Sequence, residues 1–248
     1  MSYIPTLLRG DCLDLLKDLP DQSVDMVLAD LPYGTTRNKW DSVIDLTRLW
    51  PEYRRVCRGA IVLTAQTPFD KVLGVSNLGM LRYEWIWEKT EASGHLNAKR
   101  MPMKAHENVL VFYARLPTYN PQMTQGHVRK TAVRVNRAVR PSSNYGAQEG
   151  ITSYDSTERY PRSVLRFATD KQTCNVHPTQ KPVALGEYFI RTYTNPGQVV
   201  LDNTMGSGSF GVAAMNTGRS FIGMEKDDPD LGDHYYQVAC QRIAAACA

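Results

Sequence analysis

Two stretches of the chain carry residue types that could hold and activate a ligand. The first is Asp202-Asn203-Thr204-Met205, running into Gly206-Ser207-Gly208-Ser209-Phe210-Gly211. It follows the apolar run Val199-Val200-Leu201 and precedes a helical pattern, so it is a G-x-G-x-x-G turn in the strand–turn–helix setting such a turn requires. Glycines there let a ligand approach the backbone and the helix N-terminus. Ser220 to Met224 reads as the next strand and ends at Glu225, where a carboxylate can accept hydrogen bonds from both hydroxyls of a ribose. Together these features predict a nucleoside-containing cofactor without naming it. A dinucleotide would lay its pyrophosphate on the turn, whereas S-adenosylmethionine would use it for the amino-acid end and ribose.

The second stretch is Ser23-Val24-Asp25-Met26-Val27-Leu28-Ala29-Asp30, which runs straight into Leu31-Pro32-Tyr33-Gly34. At the carboxyl end of a buried strand in an open α/β sheet, side chains and carbonyls face the ligand crevice. Pro32 fixes its own φ and restricts Leu31, so the turn is rigid.

Asp30-Leu31-Pro32-Tyr33 resembles the D-P-P-Y motif of amino-directed DNA methyltransferases, which methylate the exocyclic amine of adenine or cytosine. Two further segments fit: Leu7-Leu8-Arg9-Gly10-Asp11-Cys12 resembles the G-D-C element of the β class, and His177-Pro178-Thr179-Gln180-Lys181-Pro182 its H-P-T-Q-K-P element. The order, catalytic turn first and glycine turn last, is that of the β class, and the resemblance spans nearly the whole chain except about residues 116–175. The chain is identified on this basis as resembling a β-class enzyme of phage or bacterial type. It departs from the pattern twice, with Leu31 for the first proline and Thr204 where the family often has phenylalanine.

The resemblance implies a mechanism and a set of roles. Asp30 and a backbone carbonyl at Leu31 or Pro32 would each accept an N–H of the target amine, favouring the tetrahedral nitrogen that attacks the methyl, so that orientation and electrostatics supply the catalysis. Tyr33 would stack on the base once it has left the helix. S-adenosylmethionine is the cofactor implied: Asp11, with Cys12 beside it, would meet its adenine, Glu225 its ribose, Thr179 and Lys181 its carboxylate. Asp202, Asn203, Thr204, Gly206, Ser207, Gly208 and Ser209 would surround its amino-acid end. The partner implied is double-stranded DNA. The class also contains dimers and enzymes with a cognate restriction partner, and no residue here calls for or against either. An initial aspartate leans towards adenine N6, serine being more common in the cytosine-N4 enzymes, which remain the rival. RNA or protein methyltransferases, a nicotinamide oxidoreductase sharing the glycine turn, and a silent DNA-binding protein explain fewer of the motifs.

Charge distribution agrees with a polyanionic partner. Between Lys89 and Arg140 lie ten basic residues against Glu91 and Glu107, a balance of +8, while the other 19 basic and 23 acidic residues give −4. Lysine and arginine at that density neutralise phosphates. The expected DNA contacts are Lys89, Asn97, Lys99, Arg100, Lys104, Arg129, Lys130 and Arg134, with asparagine and arginine also able to read base edges. His106 reads as structural, because Asp30 already supplies the acceptor.

These residues need a frame. A chain of 248 residues, 42% hydrophobic and 22% charged, can bury one sizeable core. Apolar runs predict strands at Thr6–Arg9, Met26–Ala29, Ala60–Thr64, Arg82–Glu88, Asn108–Tyr113, Val199–Asp202 and Phe221–Glu225, with Tyr83, Trp85 and Trp87 in the core. Helical patterns fall at Cys12–Leu19, Leu46–Cys57, Phe69–Leu78, Pro182–Thr194, Phe210–Asn216 and His234–Ala246. The expected fold is α/β: a Rossmann-like, seven-stranded, mostly parallel sheet with helices on both faces. Residues 1–248 form one catalytic domain, with 89–176 as an inserted target-recognition region. The first residues lack the basic and apolar parts of a signal peptide, no run is long enough to span a membrane, and the five cysteines are widely spaced. A cytoplasmic protein with reduced thiols and no metal site is therefore expected.

Overall fold

The structure, a computed structural model, describes residues 5–34, 42–133, 153–169, 180–226 and 234–247. The strands are β1 (Thr6–Arg9), β2 (Val24–Ala29), β3 (Cys57–Ala65), β4 (Leu81–Ser93), β5 (Lys104–Phe112), β6 (Lys130–Val133), β7 (Ser153–Ser156), β8 (Val164–Phe167), β9 (Val199–Asp202) and β10 (Ser220–Glu225). The helices are α1 (Cys12–Leu15), α2 (Leu46–Val56), α3 (Phe69–Ser76), α4 (Val183–Tyr193), α5 (Ser209–Asn216) and α6 (Tyr235–Ala246).

The main sheet has eight strands in the order β1-β10-β9-β2-β3-β5-β4-β8. The α/β expectation holds, but the strand count is corrected from seven to eight by β8, which pairs parallel to β4 at the edge. All pairs are parallel except β3–β5 and β5–β4. β2 is buried along its whole length, and its period-two alternation splits the core between the two faces. Val27 and Ala29 pack with Leu13, Leu49, Tyr53 and Leu73 from α1, α2 and α3. Met26 and Leu28 pack with Leu185, Phe189, Phe210 and Ile243 from α4, α5 and α6. Of the three aromatic residues expected inside, Trp85 and Trp87 are buried, whereas Tyr83 is 38% exposed; it shares their face of β4 but lies near the start of the strand, where its hydroxyl meets that of Tyr193 at 2.9 Å.

Parallel pairing aligns the carboxyl ends of β1, β10, β9, β2 and β3 along one edge of the sheet. Because β5 runs antiparallel, with Asn108 opposite Ala65, its N-terminal residues reach that same edge. The antiparallel β4 returns there too, with Trp87 opposite Glu107 and Glu88 opposite His106. Topology alone therefore gathers Glu225, Asp202, Asp30, Thr64, Glu107 and Lys89 at one edge. The crevice of an open α/β sheet lies there, where successive strands diverge to either side; here that point is between β2 and β9.

The chain divides into two compact units, Met1–Asn120 with Ser163–Ala248, and Pro121–Arg162. The end of β4 and all of β5, within the segment expected to be inserted, belong to the first unit and to its main sheet. The second unit contains the antiparallel β6–β7 pair, Lys130 opposite Ser156.

Candidate active site

Asp30 immediately follows β2, and its side chain is 22% exposed. Its Oδ1 accepts from the Tyr33 hydroxyl at 2.6 Å and from the Thr64 hydroxyl at the end of β3. Its Oδ2 accepts from the Lys181 ammonium at 2.6 Å. The Asp30 carbonyl accepts from Thr204 Oγ1 at 3.1 Å, which fastens the Asp30–Tyr33 turn to the segment following β9. Thr204 thus serves as a polar tie in place of an aromatic contact. Leu31 is 2% exposed and sits in the core, so burial anchors the turn where the family motif has its first proline.

Tyr33 is held on three sides. Its ring stacks on Phe69 with centroids 5.4 Å apart, the Lys181 ammonium lies 5.5 Å from the ring centroid, and its hydroxyl reaches Thr64 Oγ1 at 3.2 Å as well as Asp30. Burial pushes the phenol well above its ordinary pKa, and the carboxylates of Asp30 and Glu107 add to the rise. The hydroxyl stays protonated and donates.

Lys181 differs from expectation. The resemblance assigned it to the cofactor carboxylate. In the structure its ammonium, 8% exposed, instead ion-pairs with Asp30 and with Glu107 Oε2 at 3.3 Å. Burial favours the neutral amine, but the two carboxylates outweigh it and raise the pKa. Lys89, expected on the DNA surface, is likewise corrected: its ammonium is 9% exposed and lies 2.6 Å from Glu107 Oε1, because β4 carries it to the sheet edge rather than out to solvent. Burial would raise the Glu107 carboxyl, yet Lys181 and Lys89 hold it near about 2. Glu107, Thr64 and Phe69 are the site residues that sequence reasoning missed. The pairing of β5 with its neighbours reveals Glu107, the parallel register of β2 and β3 reveals Thr64, and the stack on Tyr33 reveals Phe69.

Across the crevice, the glycine turn has the backbone its sequence predicts. Gly206 and Gly208 have φ of 51° and 77°, in the left-handed region that glycine tolerates. A Cβ on Gly208 would come within 3.0 Å of Ala239, and one on Gly211 within 2.4 Å of Ile243, so both glycines also admit close packing of α6. Glu225 Oε2 accepts from the Gly206 N–H at 2.7 Å. The hydroxyls of Ser207 and Ser209 lie 3.0 and 3.3 Å from Arg242 Nη1, an α6 side chain that braces the turn. Asp202 is buried and accepts from Thr204 N at 3.1 Å. Burial raises its carboxyl far above the ordinary value, and the charges of Asp30 and Glu225 add to the effect. Asn203 accepts from the Tyr53 hydroxyl, while its buried Nδ2 has no hydrogen-bond partner. Asp11 caps α1 by accepting from Leu13 N at 2.9 Å and faces Lys226 at 3.6 Å. Burial raises the neighbouring Cys12 thiol.

An open cleft of about 150 Å³ adjoins this cluster and is bounded by Gln66, Met103, Lys104, His106, Glu107 and Asn108. His106, expected to be structural, is an exposed residue of this wall. Asn97, Lys99, Arg100 and Lys104 are exposed in and beside the β4–β5 connection. In the second unit Lys130 is exposed, and the Arg129 guanidinium is taken by Asp155, with Nε 2.7 Å from Oδ1. Thr179 and Arg134 lie outside the described residues, as do His177 and Pro178. Among the described residues no cluster of His, Cys, Asp and Glu could hold a metal ion, and no helix is long and apolar enough to cross a membrane.

Residues 24–230 match the family model described as DNA methylase, of the N6/N4 methyltransferase type. The chain is 29% identical over 259 residues to the DNA adenine methyltransferase YhdJ of Escherichia coli, covering 97% of this chain and 83% of that protein. It is 27% identical over 248 residues to the type II methyltransferase M1.MboII of Moraxella bovis, covering 91% and 93%. Its fold matches the M1.HpyAVI–SAM complex with a TM-score of 0.63 at 22% identity, covering 97% of this chain and 99% of that one. It also matches the cytosine-N4-specific PvuII DNA methyltransferase with a TM-score of 0.65 at 16% identity, covering 98% and 92%. The chain belongs to the N6/N4 DNA methylase family. It is a DNA methyltransferase, with the Asp30–Tyr33 turn following β2 and the glycine turn following β9.

Proposed function

We propose that the protein methylates N6 of adenine in double-stranded DNA, acting on a base rotated out of the duplex. The observation that carries this reading is the placement of Asp30: a carboxylate at the mouth of the crevice, with its own carbonyl tied by Thr204 to the glycine-turn segment. The aspartate at the head of the turn and the adenine methyltransferase named among the relatives support adenine over the N4 position of cytosine.

The cofactor is S-adenosylmethionine, the methyl donor of this family, and the chain's residues fit it. The left-handed glycines leave the turn open to close approach, the unpartnered Asn203 Nδ2 awaits a polar ligand atom, and the buried Asp202 would gain from a neighbouring cation. Asp11 and Cys12 would hold the adenine end, Glu225 the ribose, and Asp202, Gly206 and Gly208 the amino-acid end. Bound there, it would supply an electrophilic methyl carbon on a sulfonium, a leaving group able to retain the electron pair of the carbon–sulfur bond.

The protein's own residues supply the rest. An adenine amine is a poor nucleophile because its lone pair is delocalised into the ring. Asp30 and the carbonyl of Leu31 or Pro32, each accepting one N–H, would draw the nitrogen towards a tetrahedral geometry and stabilise the positive charge that develops on it. One N–H proton then passes to the Asp30 carboxylate, which Tyr33 and Lys181 already hold oriented. The connection between β4 and β5 would face DNA, with Asn97, Lys99, Arg100 and Lys104 as its phosphate and base contacts. Digestion of treated DNA to nucleosides and mass analysis tests the reading. N6-methyladenine is expected; N4-methylcytosine alone would replace adenine with cytosine, and no methylated nucleoside would overturn both.

A further inference from the structure

The buried charges around Asp30 form a chain of alternating sign: Asp30, Lys181, Glu107, Lys89, with contacts of 2.6, 3.3 and 2.6 Å. Two acids face two bases, and burial of the last three is tolerable because each charge has an opposite neighbour. Neither Glu107 nor Lys89 has a role in the methyl-transfer scheme above, yet they sit two and three contacts from its central carboxylate.

A carboxylate offers about four acceptor positions. Tyr33 and Thr64 take those of Oδ1, and Lys181 takes one on Oδ2, so an incoming amine must share Oδ2 with an ammonium. Two consequences follow from electrostatics. A lysine with no second anion would collapse fully onto Asp30 and block that position. Its uncompensated charge would also repel the positive charge that grows on the reacting nitrogen.

We propose that Glu107, backed by Lys89, is a positioning residue for methyl transfer: it draws the Lys181 ammonium to one side of Asp30 Oδ2, leaves the other side for an N–H of the target amine, and neutralises Lys181 as the amine becomes cationic. The inference rests on the amine-methylation reading. It gives Lys181 a part at the acceptor carboxylate and assigns a function to an acid 77 positions from Asp30 in the chain.

The test is single-turnover methylation with saturating S-adenosylmethionine and DNA. Glu107→Gln keeps the shape and removes the charge. It should lower the transfer rate roughly 10- to 100-fold, the scale of a misplaced catalytic group, while KM for cofactor and DNA stays within about twofold. Glu107→Asp should restore part of the rate. The double variant E107Q/K181M restores the balance of charge and should be faster than E107Q alone, a reversal that loss of folding stability would not produce. Lys89→Met, which leaves Glu107 and Lys181 in place, should lower the rate less than E107Q; it carries the test if E107Q does not fold. A wild-type rate in E107Q or K89M, a loss residing in KM, or a double variant slower than E107Q would overturn the proposal. If the wild-type protein methylates no exocyclic amine, the function proposed above fails instead, and that outcome is read on the wild type alone.

Discussion

Acid should dismantle the buried charge chain at Glu107, and the size of the effect follows from its environment. The carboxyl has an ordinary value of 4.5 and is held near about 2 in the folded protein. The folded value is the lower one, so the stabilisation is fully present above 4.5 and is lost as pH falls towards about 2. At about 1.4 kcal/mol per pH unit this amounts to about 3 kcal/mol, of which about 2 kcal/mol is gone by about pH 3. Removing one member of a buried ion cluster costs roughly 3–5 kcal/mol, so Glu107→Gln should be clearly less stable than wild type at neutral pH. That gap should shrink by about 2 kcal/mol by about pH 3. Asp202 works in the opposite sense: its raised folded value means a cost at neutral pH that acid relieves, and it contributes alike to both proteins. The assay is urea unfolding of wild type and variant across the acid range, compared as a difference. Two parallel curves with a constant gap would refute an ionised, ion-paired Glu107.

Other perturbations separate the parts of the site. Asp202→Asn keeps the acceptor for Thr204 N but removes a carboxyl that burial disfavours, so the melting temperature of the cofactor-free protein should rise at neutral pH while S-adenosylmethionine binding, followed by calorimetry, weakens; tighter binding would contradict the cation-holding role. Thr204→Val removes the tie to the Asp30 carbonyl and should cost about 1 kcal/mol in denaturant unfolding, with a fall in transfer rate and little change in cofactor affinity. Gly208→Ala forces a side chain into a left-handed turn 3.0 Å from Ala239 and should abolish cofactor binding or destabilise the fold; wild-type behaviour in both assays would mean the turn is not as described. Neutralising Lys99, Arg100 or Lys104 should each reduce the slope of log affinity against log salt for DNA by roughly 0.9. Lys89→Met should leave that slope unchanged, since its charge is spent on Glu107.

The parts of this architecture visible in the sequence are those written in local patterns. β2, β9 and β10 are short apolar runs that end in Asp30, Asp202 and Glu225, and the glycine turn sits between two of them, so both halves of the crevice could be placed. β4 and β5 extend beyond their apolar runs: Lys89–Ser93 and Lys104–Glu107 are polar and lack apolar alternation, and they continue as strand through pairing of Trp87 with Glu107, Glu88 with His106, Ser93 with Lys104, and Lys89 with Phe167 of β8. β8 is an edge strand of four residues, and every residue of β6 is exposed, so neither carries a core signal. Glu107 could not be found from spacing, since only an antiparallel strand beside β3 brings it to the crevice. The pairing of Lys181 with Asp30 and Glu107 escapes the sequence for a related reason: spacing shows that a lysine follows the motif, not which of several anions lies within its reach.

The claim on which everything rests is that the Asp30 carboxylate is the acceptor that activates the target amine. Single-turnover transfer from methyl-labelled S-adenosylmethionine to DNA, measured for wild type and Asp30→Ala alongside equilibrium binding of both substrates, tests it directly. The expected result is methyl label on an exocyclic amine with wild type and none with Asp30→Ala, although the variant still binds cofactor and DNA. Label appearing at the wild-type rate in Asp30→Ala would contradict it.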